Sequence, residues 1–270
     1  MRQEIYIREP ISFHGSIPVF SITNEYTDNY EQISDDHLKS LWQNGINPWI
    51  PEDLWVQMEN STVELVKKYS KPGEMILDVG VGLGRLLSHF PHLQRYGMDI
   101  SFTYLEQAQT KGIEVSYAKV EDMPYKEEMF DIVVCTDVLE HVLDLNLCIR
   151  RILSVLQPKG TLIVRVPVRE DLAIYAATSC NYKFVHLRNF DEYSLRLLFE
   201  RIMNCKIIET MVAAYVPSAS RLKYTLVFPL LNRIVARFFW EVRSFLGNRL
   251  NNAILKVLFH PAEINCVIRK

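Results

Sequence analysis

Apolar and polar positions fall into two alternating styles along the middle of the chain. Between residues 75 and 167, short aliphatic runs ("MILDVG", "YGMDI", "GIEVSYAKV", "FDIVVCTD", "GTLIVRVP") are separated by stretches of helical spacing such as "FTYLEQAQTKG" and "LNLCIRRILSVLQPKG". Continuous aliphatic strands divided by helices predict a parallel sheet covered on both faces, with right-handed crossovers. The expected fold class is therefore α/β, doubly wound and Rossmann-like, with ligands at the carboxyl ends of the strands. Upstream, "NPWIPEDLWVQMENSTVELVKKYSKPG" predicts a helix: Pro51 suits a first position, acids fill the first turn, bases the last, and Pro72-Gly73 stops it. Residues 1–45 read as short β-like pieces and a polar tract, "NEYTDNYEQISDDH", with no assigned element. Downstream, residues 190–203 read as a helix and "CKIIETMVAAY" as a strand. A segment with apolar residues at helical spacing (Val227, Leu231, Ile234, Phe238, Val242, Phe245) follows, then "INCVIRK" as a last strand. The expected division is 1–70 as an N-terminal extension with a helix, 71–213 as the core, 214–260 as a basic amphipathic helical insert, and 261–270 as the final core strand.

The first strand-to-helix joint, "ILDVGVGLGRLL" (76–87), narrows the chemistry. Backbone N–H groups at such a joint attract anionic or polar ligands, and glycines let the ligand come close. In the dinucleotide fingerprint G-x-G-x-x-G the third glycine falls on Arg85, and no G-K-[ST] follows, which excludes a P-loop. What remains is an acid, Asp78, with Gly80, Gly82 and Gly84 at alternate positions.

That pattern resembles the first motif of the class I S-adenosylmethionine-dependent methyltransferases, and later segments continue the likeness in order. The second strand ends in Asp99-Ile100. "AKVEDMPY" resembles the family's adenine-lining segment, with Lys119 and Val120 where an acid and a small residue are common. "FDIVVCTDVLEHV" resembles the fourth motif, and "FVHLRNFDEYSLRLLFE" is similar to the segment after the fifth strand. The likeness covers residues 50–213 and 263–270, with the motif set of small-molecule, ubiquinone-biosynthesis-like members. It implies a seven-stranded sheet of order 3-2-1-4-5-7-6 with an antiparallel last strand, and S-adenosyl-L-methionine as cofactor. By the same resemblance, Asp78, Gly80, Gly82 and Gly84 face the methionine tail, and Asp99 and Ile100 the ribose. Val120 and Glu121 border the adenine, Thr136 closes over the cofactor, and the segment holding Trp49 and Trp55 forms a lid. Asp78 reads equally as a brace for its own loop, and Trp55 as helix packing.

For the implied reaction the sulfonium is already electrophilic, so alignment of a nucleophile is the protein's main task, worth roughly 7 to 11 kcal/mol in favourable cases. A hydroxyl acceptor would also need a proton removed, which adds about 10²- to 10⁴-fold. His141 and His186, each just beyond a strand end, are the candidate catalytic residues. His141 also reads as a helix-start or packing residue beside Glu140, and His186 as a loop histidine bonded to backbone; in the functional reading of His186, Arg188 stands nearby for an anion or hydroxyl, and Asp137 is a further strand-end acid. The acceptor classes left open are a phenol or quinone and a sugar or lipid-linked glycan hydroxyl. Alternatives are a binding or scaffold protein that keeps the fold, and an NAD-dependent oxidoreductase, against which Arg85 counts.

Composition changes this picture little. With 49% hydrophobic and 23% charged residues and a net charge of −2, the chain is globular, and no nucleic-acid partner is expected. Five cysteines without a C-x-x-C pair argue against disulfides and zinc, so no metal is expected and a reducing, cytoplasmic setting is. The apolar stretch "YTLVFPLLN" is about half of the roughly 20 residues a membrane span needs. Residues 214–260 hold seven basic residues against one acid, Glu241. Such a segment suits peripheral membrane contact through 221–259, a phosphate-bearing substrate, a cap over the site, or a dimer contact. Nothing in the sequence indicates the oligomeric state.

Overall fold

The computed structural model describes residues 5–176, 181–217 and 259–270, arranged about a single sheet. In chain order the elements are β1 (Ser12–His14), β2 (Ile17–Val19), α1 (Glu25–Asn44), α2 (Glu52–Tyr69), β3 (Met75–Val79), α3 (Arg85–Ser88), β4 (Gln94–Asp99), α4 (Phe102–Thr110) and β5 (Glu114–Tyr117). They continue with β6 (Phe130–Thr136), α5 (Leu145–Val155), β7 (Leu156–Pro167), α6 (Ala173–Ala176), α7 (Glu192–Arg196), β8 (Lys206–Pro217) and β9 (Phe259–Arg269). The spatial order is β1-β2-β5-β4-β3-β6-β7-β9-β8. Strands β5, β4, β3, β6 and β7 run parallel, and β9 is antiparallel to both neighbours.

The expected seven strands are corrected to nine among the described residues. A hairpin of β1 and β2, turned at Gly15 with φ +58°, lays Val19 beside Tyr117 and extends the β5 edge. Ile17 and Val19 are buried there, and two three-residue strands are too short to announce themselves by alternation. The polar tract is also corrected: residues 25–44 form α1. Asn24 caps it, accepting from the Tyr26 and Thr27 N–H groups while Thr27 Oγ1 accepts from the Asn24 N–H. The helix docks on the start of α4, where the Glu31 carboxylate accepts the Phe102 and Thr103 N–H groups at 2.7 and 3.0 Å.

Alternation along the strands splits the core into two layers. Leu77, Val79, Val133, Cys135, Leu162 and Val164 face α5 and Phe199, whereas Ile76, Ile132, Val134 and Ile163 face α2 and α4. Burial on both faces is what near-continuous aliphatic strands require. The expected insert falls at 218–258, outside the described residues, and with it the reading of membrane contact there. Residues 214–217 and 259–260, assigned to the insert from sequence, pair instead as the last rungs of β8 and β9, whose backbone groups gain partners by continuing. No described helix is long and apolar enough to cross a membrane.

Gly84 is a packing requirement. Its φ is +69°, and a Cβ would lie 2.7 Å from Ile113 Cδ1 and 3.0 Å from Ala108 Cα. Gly84→Ala should lower stability by about 2–4 kcal/mol in urea denaturation, combining left-handed strain and overpacking; an unchanged midpoint would contradict this packing.

Candidate active site

A cavity of about 920 Å³ opens at the carboxyl ends of β3, β4 and β6, roofed by α1 and α2, within the range of roughly 300–1,000 Å³ usual for small-molecule sites. Of the residues singled out in the sequence, Asp78, Gly80, Gly82, Asp99, Ile100, Val120, Glu121, Thr136, His141 and His186 line it. Gly84 does not; it faces α4, as its packing requires.

The glycine loop is held from the side. Asp99 Oδ2 accepts the Gly82 N–H at 2.9 Å, and Oδ1 accepts the N–H groups of Ile100 and Ser101 at 2.8 and 3.1 Å. Burial pushes the Asp99 carboxyl up to about 6, against the pull of those three donors. Asp99 is thus the brace that the sequence reading allowed for Asp78. Asp78 itself is buried, and its Oδ1 has no partner among the described residues. Desolvation and then the Asp99 charge push it up to about 8, while Arg165 pulls the other way. Gly82, with φ +50°, has open space where a Cβ would stand, and at Gly80 a Cβ would strike Val138. Helix α3 is a single turn, so the loop owes little to a helix dipole. Arg85, in the place of a fingerprint glycine, turns toward α2: its guanidinium stacks 3.6 Å from the Trp55 ring and donates from Nε to Glu59 at 2.8 Å.

On the far side of the loop, Ile100, Ala118 and Val120 present apolar surface, with Glu121 at the edge. The Lys119 ammonium lies 3.4 Å from Asp122, which also accepts the Ser21 hydroxyl at 2.8 Å.

The opposite end of the cavity is polar. His186 Nδ1 meets Glu170 Oε2 at 2.5 Å, and Tyr175 donates to Glu170 Oε1 at 2.6 Å. Partial burial pushes the Glu170 carboxyl up, but the His186 and Tyr175 hydrogen bonds outweigh it and leave it below its ordinary value. His141 Nδ1 lies 3.0 Å from the Tyr30 hydroxyl, and the two imidazoles meet edge to face at 4.5 Å. Burial, then the His186 ring, lowers His141 to about 3, so it is neutral at pH 7. Glu140, next to it, is fully buried, with both carboxylate oxygens unpartnered among the described residues. Burial and the Asp137 charge push it well above the carboxylate range.

The structure places four further residues singled out in the sequence. Arg188 donates to the carbonyl oxygens of Leu139 and Val142 at 2.8 and 2.5 Å, so its charge fixes a turn. Asp137, at φ +56°, receives Arg165 Nη2 at 2.5 Å. Trp49 and Trp55 both line the cavity, each ring 5.4 Å from His37. Sequence reasoning missed Tyr26, Tyr30, Ile33 and His37 on one face of α1, and also Arg165, Glu170, Tyr175 and Glu263. The spacing 26, 30, 33, 37 and the lone charge in "GTLIVRVP" were available signals.

Comparison with known proteins places this geometry. Residues 77–164 match a family model described as a methyltransferase domain. Two uncharacterised proteins of Methanocaldococcus jannaschii are each 32% identical, over 48% and 45% of this chain and 63% and 53% of their own lengths. The chain thus spans less than two thirds of these relatives. A phosphoethanolamine N-methyltransferase of Caenorhabditis elegans is 26% identical over 57% of this chain and 35% of its own. Among solved structures, an S-adenosylmethionine-dependent methyltransferase of Thermotoga maritima superposes with TM-score 0.56 at 18% identity, covering 90% of this chain and 99% of that one. The magnesium protoporphyrin IX methyltransferase of Synechocystis, solved with bound S-adenosylhomocysteine, gives 0.56 at 15% identity, covering 90% and 97%. The fold is the one these class I methyltransferase structures share, and residues 77–164 match the methyltransferase-domain model.

The raised carboxyl at Asp78 has a measurable sign. Its folded form holds the proton more tightly than the unfolded chain, so the stability it contributes is full below about pH 4 and lost as pH rises through about 8. Asp78→Asn, which cannot titrate, should therefore gain on the wild type by about 4 °C or more in melting temperature between pH 5 and pH 8, without ligand. A pH-independent difference between the two would contradict the assignment.

Proposed function

We propose that this protein transfers a methyl group from S-adenosylmethionine to a hydroxyl oxygen of a small, largely aromatic acceptor. The observation that supports the reading is the buried Asp78 carboxyl, whose Oδ1 has no partner among the described residues, beside the open space at Gly82, at one end of a cavity whose other end holds His186 on Glu170. A cationic ammonium at Asp78 would supply the charge its burial lacks. The outer lone pairs of Asp99 suit ribose hydroxyls, and Ile100 with Val120 would enclose a flat base. When bound, the cofactor supplies an electrophilic methyl on sulfur. The chain's own work is then to align the acceptor and receive its proton. Glu170 and Tyr175 occupy Nδ1 of His186 and fix the ring, which leaves Nε2 as the nitrogen that acts on the hydroxyl. His141 serves as a neutral neighbour rather than a proton acceptor.

The lining supports one acceptor class over the other. Tyr26, Tyr30, Trp49, Trp55, Tyr175 and Tyr182 favour a phenol or quinone-derived ring over a glycan. Methyl transfer to a panel of phenols, catechols and sugars, followed by S-adenosylhomocysteine release, tests the proposal. His186→Ala should lose at least about 100-fold in turnover while keeping cofactor affinity. Asp99→Ala should weaken the cofactor by about 10- to 100-fold, since charged hydrogen bonds on both sides are lost. Unchanged turnover in the first, or unchanged affinity in the second, would remove that residue from the site.

A further inference from the structure

Three side chains at the acceptor end form a set that packing alone does not explain. Glu140 is fully buried in the turn after β6, yet neither carboxylate oxygen has a hydrogen-bond partner among the described residues. His141 Nε2 stands 4.0 Å from Glu140 Oε1, and one ligand atom from each of Glu140, His141 and His186 lies within 4.8 Å of the others. Both imidazoles are held by their opposite nitrogen. Nδ1 of His186 is occupied by Glu170 and Tyr175, and Nδ1 of His141 by the Tyr30 hydroxyl. A histidine bound on Nδ1 by a carboxylate or hydroxyl, with Nε2 turned inward, is the arrangement that orients metal-ligating imidazoles.

We propose that Glu140, His141 and His186 bind one divalent transition-metal ion of the zinc type, with its remaining positions open to the cavity. Two imidazoles and one carboxylate match a catalytic zinc set with an open position, and two nitrogens of three disfavour magnesium or calcium. Bonds of about 2.1 Å put ligand atoms about 3.4 Å apart, so rotamer adjustments must draw the three atoms inward by roughly 1 Å. The spacing gave no sign of this, because His186 comes from a loop 45 positions beyond His141 and only the fold joins them. For the role of the ion the proposal rests on the methyltransferase reading. An acceptor hydroxyl oxygen takes an open position, its proton passes to water, and a carbon–oxygen bond forms as the carbon–sulfur bond breaks. His186 then acts on the hydroxyl through the ion.

Cobalt(II) titration of protein stripped with a chelator, with zinc competition followed by calorimetry, tests the site without any turnover. The wild type should bind one equivalent of Co²⁺, giving visible ligand-field bands that Zn²⁺ abolishes. Glu140→Gln and His186→Ala should each lose this binding, and Glu170→Gln should weaken it about 10- to 100-fold. Thermal melting, measured on the same samples, reports that each variant remains folded, and S-adenosylmethionine affinity is measured beside it. Absence of bound cobalt and zinc in the wild type, or unchanged binding in both Glu140→Gln and His186→Ala, overturns the site. Bound ion without bound cofactor would sustain the metal site while removing the methyltransferase reading.

Discussion

The burial of one positive charge in the sheet organises the end of the molecule where the chemistry lies. Arg165 sits near the carboxyl end of β7 with 5% exposure, where an unpaired guanidinium would cost several kcal/mol. Its Nη2 reaches Asp137 after β6, its Nη1 donates to Thr62 of α2 at 3.1 Å, and its Nε lies 2.7 Å from Glu263 of β9 as an ion pair off hydrogen-bonding geometry. Thr62 in turn donates to Asn265, whose amide donates to Ser61. One cation thereby joins β6, β7, β9 and α2 behind the cavity. Its field also reaches Asp78, the carboxylate at the other end. Two acids around it offset its charge, but they leave Glu263 pushed up to about 8 by burial and the Asp137 charge. The balance is crowded with carboxylates, and a cationic ligand would relieve it.

The N-terminal segment supplies the roof. Helix α1 contributes Tyr26, Tyr30, Ile33 and His37 to the cavity, and α2 contributes Trp55 and Met58. His37 Nδ1 bonds the Tyr104 hydroxyl at 2.8 Å, while its Nε2 is buried without a partner among the described residues. Burial and Arg85 lower it to about 4, so an uncharged imidazole sits among the aromatics. In the proposed reading, the fold's shared part offers the cofactor side, and the chain's own additions shape the acceptor side.

What could be read from the sequence was local. The strands, the glycine loop and Asp99 lie within a few residues of one another, and their spacing carries their geometry directly. At Gly84 the spacing does not distinguish close approach to a helix from close approach to a ligand, and the packing against Ala108 and Ile113 becomes visible only in the fold. The β1–β2 hairpin is too short for periodicity to detect, and α1 was hidden by acids and amides on its solvent face. Glu170 and His186 lie outside regular elements and Tyr175 in the four-residue α6, so no periodicity announces the set. Arg165 did carry a signal, a single charge inside an aliphatic strand, because a buried charge needs partners elsewhere in the chain.

The central claim is that the Asp78–Asp99 end of the cavity is an S-adenosylmethionine site. Calorimetric titration of the wild-type protein with S-adenosylmethionine, S-adenosylhomocysteine and NAD tests it most directly. The account expects saturable binding of the first two at one site per chain and no heat with NAD. A folded protein that binds neither sulfur compound, or that binds NAD in their place, would contradict it.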